Sequence, residues 1–101
     1  GSAAGLPPAL VKDWLQAAKT SQLDLLQHLL MAQPALLNVR GPGLGHTALH
    51  WAAAKGDTAT VRWLLQQGAA PGAFNHEAAT PLHAACRNGQ LEAAQLLLRT
   101  G

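Results

Sequence analysis

The sequence predicts an all-α solenoid of about three stacked helix-turn-helix repeats with projecting β-turn loops. Two long segments match each other in step, with Thr47 and Thr80 lying 33 residues apart, and a fixed period of this length is typical of repeat architectures. Leucines recur at three- and four-residue spacing in the second half of each segment, as in a helix that buries one face. Glycines separate the apolar runs. Together these observations favour short helices joined by tight turns.

The first repeat, at about residues 10–40, is a degenerate copy of the other two. Its leucine stripe begins at Leu25-Leu26, and Ser21 takes the turn position 35 residues before Gly56. We therefore expect two extra residues in the loop that follows. This copy lacks the Thr-x-Leu-His element of the later repeats. It is expected to be an N-terminal cap with a polar outer face, formed by Lys12, Gln16, Lys19 and Gln22. Residues 1–9 are expected to be a tag remnant and a flexible segment.

The second and third repeats, at about residues 41–73 and 74–101, carry the same local signals. Thr47 and Thr80 each stand where a hydroxyl can accept a hydrogen bond from a free backbone N–H at a helix start. Pro81 fits the first helical position, since that position needs no N–H donor. The turn between the two helices falls at the two glycines that also lie 33 residues apart, Gly56 and Gly89.

Small residues precede each of these turns, and aromatic residues are few. Ala85-Cys86 aligns with Ala52-Ala53, so neighbouring helices can approach closely there, and Cys86 is expected to be buried and unreactive. The three tryptophans, Trp14, Trp51 and Trp63, are expected to pack in or against the core.

The Thr-x-Leu-His pattern with its 33-residue period resembles the ankyrin repeat, from about Val11 onward. The resemblance implies that His50 and His83 tether loops to helices by hydrogen bonds. It implies that Thr47, Thr80, Gly56 and Gly89 complete the structural motif. It also implies a concave surface for another protein, formed by loop tips and the first helices.

The family's variable positions, carried over residue by residue, give a candidate partner-binding set. Three cations of this set, Lys19, Lys55 and Arg87, each lie just before a turn and should form a row. Such a row favours a partner protein or peptide with acidic groups. Phe74 or Leu44 would meet an apolar residue beside it, with Phe74 folding back onto its loop as the alternative. Solvated surface residues with no binding role are the other interpretation of the set. Its members are Lys19, Leu44, His46, Lys55, Phe74, His76, Glu77, Arg87 and Asn88.

Three loop positions depart from the family pattern. Ala78 stands where a glycine is usual before Thr80, and the usual aspartate is replaced by Asn75 in the third repeat and by Pro42 in the second. We therefore expect loops less regular than those of consensus repeats.

No constellation in the sequence supports catalysis, a metal or a cofactor. His46 and His50 are four residues apart, but no Cys, Asp or Glu nearby completes a tetrahedral zinc site. The glycines of residues 41–45 are not followed by the Lys-Ser/Thr of a phosphate-binding loop. The five acidic residues form no pair placed for acid–base work. We therefore expect a chain that is not an enzyme.

Composition narrows the function classes further. Charged residues make up 12% of the chain, against about 25% in average proteins, which suggests a surface that is partly covered, either by a partner or by more of the parent protein. The seven Lys and Arg residues are scattered, and this disfavours nucleic-acid binding, for which a basic stripe is typical. No apolar stretch reaches membrane-span length. One cysteine excludes an intrachain disulfide and favours an intracellular location, cytoplasmic or nuclear. We expect a monomeric domain.

The last leucines, Leu96-Leu97-Leu98, are followed by no recognisable cap. They are expected to face a missing neighbour or solvent, either because the chain is a segment of a longer protein or because the last helix pair packs on another surface. Three hypotheses remain: a protein-interaction module, a structural segment that docks on neighbouring domains, and nucleic-acid binding along the basic row.

Overall fold

The computed structural model describes residues 6–100, where six α-helices form three helix pairs and no strand is present. The first helices of the pairs pack side by side, α1 on α3 and α3 on α5, and the second helix of each pair packs on the first. The predicted all-α solenoid is confirmed. The helices are α1 (Pro8–Lys19), α2 (Leu23–Ala32), α3 (Ala48–Lys55), α4 (Thr58–Gln66), α5 (Pro81–Arg87) and α6 (Leu91–Thr100).

The first pair begins earlier than the sequence suggested. Helix α1 starts at Pro8, where a proline suits the first helical turn, and Leu6 is buried against the core. The prediction of a flexible segment at residues 1–9 is therefore wrong for residues 6–9, while residues 1–5 lie outside the described part. The loop after α2 contains a 3-10 helix, Pro34–Leu36, whose Leu36 is fully buried.

Both predicted threonine caps are present and take the same form. The Thr47 hydroxyl accepts from the backbone N–H of His50 at 3.3 Å, and the Thr47 backbone N–H donates to His50 Nδ1 at 3.1 Å. Thr80 and His83 repeat this reciprocal pair with the same distances. Each histidine thus occupies the place that Glu or Gln takes in the usual capping box.

The turns between paired helices use a left-handed residue in all three repeats. Gly56 has φ 74° and Gly89 has φ 69°, and Ser21 takes the same conformation with φ 58°. This equivalence confirms the register of the degenerate first repeat. Gly68, with φ 95°, follows the end of α4, and Ala78 adopts φ 62° in the loop before α5.

The core lies between the helix pairs and is richest around α3, which has α1 on one side and α5 on the other. Ala52 and Ala53 are both fully buried as a result. Helix α5 packs on α3 through Ala85, which is fully buried, whereas Cys86 is exposed. The prediction of a buried Cys86 is wrong, because within residues 6–100 no further helix covers that side of α5.

The second helices supply the rest of the apolar packing. Trp14 is fully buried, and its ring centroid lies 6.4 Å from that of Trp63. In α6, Leu97 is buried, contrary to the expectation that all three of its final leucines face a missing neighbour, while Leu98 is 63% exposed.

Among the described residues, no helix has both the length and the apolar character required to span a membrane.

Candidate partner-binding groove

The loop before α5 is held against α3 by His50. Its Nε2 donates to the carbonyl of Ala79 at 2.8 Å, while Nδ1 accepts from the Thr47 backbone N–H. Burial lowers the pKa of His50. The hydrogen bond to Ala79 opposes this shift, and the nearby His46 and Arg40 add to it. The neutral imidazole is therefore the form that fits, and the tethering role predicted for His50 is confirmed.

Asn75 organises the same loop from within. It is buried, and its Oδ1 accepts from the backbone N–H of Glu77 at 2.8 Å and of Ala79 at 3.0 Å. These two donors fix the orientation of the amide, so its Nδ2 donates to His46 Nδ1 at 3.1 Å. Sequence reasoning noted Asn75 only as a departure from the family pattern. Its amide supplies a donor for His46 that the usual carboxylate lacks.

The tips of the two successive loops lie against each other. The backbone N–H of His76 donates to the Leu44 carbonyl at 2.8 Å. The His76 ring covers Gly45, where an added Cβ would come within 2.9 Å of Nε2. The predicted residues Leu44 and His76 are thus brought together, and glycine at position 45 suits both the close approach of the His76 ring and the φ of 76°.

A groove of about 270 Å³ opens between α3 and α5, below these loops. One wall is Trp51, which is half-buried and whose ring lies 4.9 Å edge-on from the His46 ring. The prediction that Trp51 packs against the core is confirmed, and its side chain also lines an open surface. The groove is lined by His46, His50, Trp51, Ala54, Asn75, Ala79, Ala84, Arg87 and Asn88.

The three predicted cations are not equivalent. Lys19 Nζ lies 4.5 Å from the centre of the Trp51 ring, a cation–π contact, and Lys55 Nζ donates to the Lys19 carbonyl at 2.8 Å. Arg87 is exposed and lines the groove, as does Asn88, whose Nδ2 also donates to the Ala84 carbonyl at 2.8 Å. The ammonium groups of Lys19 and Lys55 thus make contacts that join the first two repeats, whereas Arg87 lines the groove.

The loop tips carry the exposed apolar side chains that the sequence singled out. Phe74 is 54% exposed and Leu44 is 48% exposed. The guanidinium carbon of Arg40 lies 5.5 Å from the centre of the Phe74 ring. Sequence reasoning missed Arg40, since it stands more than 30 residues from Phe74 and outside the variable positions of the repeat. Phe74 does not fold back into its loop. Glu77 is exposed at the same tip.

The equivalent of the His50 tether is incomplete at His83. Its Nδ1 takes part in the capping box with Thr80, but within residues 6–100 its Nε2 has no hydrogen-bond partner. The side chain is exposed. The tethering role carried over to His83 stays a prediction, because it concerns a loop after α6 and residues 6–100 include none.

The geometry offers no metal centre in the described part of the chain. No group of three or more His, Cys, Asp or Glu side chains lies close enough to hold an ion. The rings of His46 and His50 are 5.5 Å apart, but Nδ1 of each already accepts a hydrogen bond. A second depression, of about 480 Å³, lies between the outer helices and has no charged lining residue: Gln27, Leu30, Met31, Pro34, Leu37, Trp63 and Gln67.

Comparison with known proteins identifies the class. Residues 14–101 match the sequence profile of ankyrin repeats, in three copies, and the chain belongs to the ankyrin-repeat family. It is 44% identical over 68 residues to the FYVE zinc finger domain protein UPA1 of Mycosarcoma maydis, covering 66% of this chain and 5% of that protein.

Two further relatives are longer proteins as well. The chain is 37% identical over 84 residues to the probable E3 ubiquitin-protein ligase XBOS33 of Oryza sativa subsp. japonica, covering 83% of this chain and 16% of that protein. It is 37% identical over 86 residues to a homolog of transient receptor potential cation channel subfamily A member 1 from Caenorhabditis elegans, covering 85% and 7% respectively. The chain thus spans a small fraction of each of these relatives.

Proposed function

We propose that this chain is a non-catalytic protein-interaction module that binds a segment of a partner protein across the groove between α3 and α5 and the loop tips above it. Ankyrin repeats generally act as protein-interaction modules. In this chain, the loop before α5 is held by the hydrogen bond that His50 donates to the Ala79 carbonyl and by the one that Asn75 Oδ1 accepts from the Ala79 N–H, so the groove is formed before a partner arrives. A preformed site loses less conformational entropy on binding.

The observation that carries the proposal is the exposure of large apolar side chains on this one face. Trp51 lines the groove, and Phe74 and Leu44 stand at the loop tips above it. Aromatic side chains that combine an apolar body with an open position are typical anchors of protein interfaces. The surrounding cations, Lys19, Lys55 and Arg87, would form a polar rim.

The test compares partner capture by groove variants and by a variant remote from the groove. A Trp51→Ala, Phe74→Ala double variant should weaken binding of the partners captured from cells about tenfold or more. Met31→Ala is the matched control, since Met31 is 83% exposed in the depression between the outer helices. If all three proteins fold alike by circular dichroism and capture the same partners with equal strength, the groove is not the interface.

A second candidate is a structural role inside a longer protein, in which this array docks on neighbouring parts of the same molecule. The observation that favours it is the open side of the third pair. Leu91 and Leu98 are 76% and 63% exposed and lie seven residues apart on one face of α6. Charge reversal at Lys55 and Arg87 separates the two candidates, because it should disturb a groove partner and leave docking through α6 unchanged.

A further inference from the structure

We propose that the groove contains a subsite for a single carboxylate side chain, an aspartate or glutamate of the partner, between Arg87 and His46 and against the ring of Trp51. This inference rests on the proposed function and names the partner chemistry that the groove selects. It follows from the donors on the groove walls, from the charges around them and from the size of the space.

The first donor is the imidazole of His46. Because Asn75 Oδ1 is occupied by two backbone donors, Asn75 can offer only its Nδ2 to His46 Nδ1. The proton of a neutral His46 ring is therefore on Nε2. Within residues 6–100, this N–H has no acceptor. A ligand oxygen could supply the missing partner, and the ring would then donate without any change of tautomer.

The second donor is the guanidinium of Arg87, on the opposite wall. No acidic side chain of residues 6–100 forms an ion pair with Arg87, and the groove lining includes no Asp or Glu. Asp57 caps α4 through Thr60, and Glu92 lies with Arg62 and Arg99 in a different depression. Glu77 is exposed at the loop tip and is not among the residues that line the groove. The groove is therefore a positively charged site without an internal counter-ion.

The apolar residues that line the groove determine which anion fits. Trp51, Ala54 and Ala84 present apolar surface, which suits the methylene groups of a glutamate or aspartate side chain. The space is about 270 Å³, and Arg87 is the one Lys or Arg among the residues that line it. That arrangement balances a carboxylate with one negative charge. A nucleic-acid backbone would require a series of free cations, whereas Lys19 and Lys55 are already engaged in contacts with Trp51 and the Lys19 carbonyl.

The experiment follows the NMR signals of the ¹⁵N-labelled protein during titration with two capped, extended peptides. In one peptide glutamate alternates with alanine, and in the other glutamine takes the place of glutamate. The glutamate peptide should shift the indole N–H signal of Trp51 and the backbone signals around Arg87. The glutamine peptide should bind more weakly. Arg87→Gln should weaken binding of the glutamate peptide about fivefold, as for one partly exposed charge pair, and Arg87→Lys should restore part of it. Arg62→Gln is the matched control, since Arg62 is an exposed arginine on α4.

Each other outcome overturns the subsite in a distinguishable way. If both peptides shift the groove signals equally, the groove binds extended peptides without recognising a carboxylate, and the proposed function survives alone. If Arg87→Gln and Arg62→Gln weaken binding alike, the attraction is a general charge effect. If a single-stranded oligonucleotide reproduces the shifts and the dependence on Arg87, the groove selects a phosphate backbone. If neither peptide shifts the groove signals, the subsite is absent, and the capture experiment decides the proposed function separately.

Discussion

Replacement of Gly56 by alanine tests how the repeats are joined at their turns. Gly56 and Gly89 occupy equivalent turns with nearly equal φ values of 74° and 69°. Their surroundings differ. A Cβ at Gly56 would overlap the Gln90 side chain, whereas a Cβ at Gly89 would meet no atom within 4 Å. The chain therefore contains its own matched control for the effect of the next repeat on the turn.

The magnitude follows from two separate contributions. Alanine in the left-handed region costs about 1 kcal/mol relative to glycine, and Gly89→Ala should lower the free energy of unfolding by that amount. At Gly56 the added methyl group also displaces Gln90, whose Nε2 donates to the Ala54 carbonyl at 3.3 Å. Loss of this hydrogen bond costs about 1 kcal/mol. Gly56→Ala should therefore cost about 2 kcal/mol in total.

Urea denaturation followed by circular dichroism measures both variants, and a double-mutant cycle with Gln90→Ala isolates the contact. In the Gln90→Ala background, Gly56→Ala should cost about 1 kcal/mol, as Gly89→Ala does in the parent chain. Equal costs for the two glycine variants in the parent chain would refute the reasoning, because they would mean that Gln90 gives way without loss of stability.

Two further predictions concern the backbone and the protonation of the same loops. Ala78→Gly should raise the free energy of unfolding by about 0.5 kcal/mol, since it relieves a left-handed alanine with φ 62°; a lower melting temperature would contradict this. Burial lowers the pKa of His50 below 6.5, so the folded chain favours the neutral imidazole. The contribution of His50 to the free energy of unfolding is therefore complete above pH 6.5. It declines as the pH falls through the lowered pKa, by at most about 1.4 kcal/mol per pH unit. Urea denaturation between pH 8 and 5 should show this decline, and His50→Gln should reduce it; an unchanged pH dependence in that variant would assign it to other groups.

The sequence predicted those features that each repeat determines locally. The threonine caps, the left-handed turns and the leucine stripes recur because their causes lie within a few residues of each other, as at Thr47 and His50. The features it missed depend on the neighbouring repeat. Cys86 and Ala53 occupy equivalent positions, yet only Ala53 is covered, because α3 has a helix on both sides and α5 has one. The part that Trp51 plays in lining the groove also depends on the neighbouring repeat, since α5 and the loop before it supply the rest of the lining.

The row of cations shows how neighbouring repeats give different roles to basic residues that all stand at the end of a first helix. Lys19, Lys55 and Arg87 each stand in the last turn of a first helix, where a cation is favoured by the helix dipole. Helix α1 receives a hydrogen bond from Lys55 at the Lys19 carbonyl, and α3 receives one from Gln90 at the Ala54 carbonyl. Each of these two bonds joins a repeat to the one before it. The bond between the first and second repeats uses the side chain of Lys55 as its donor. In the third repeat, within residues 6–100, Arg87 has no such bond to make. The cation that the described repeats do not use for stacking is thus the one that lines the groove, which is why a substitution at Arg87 should change binding more than it changes stability.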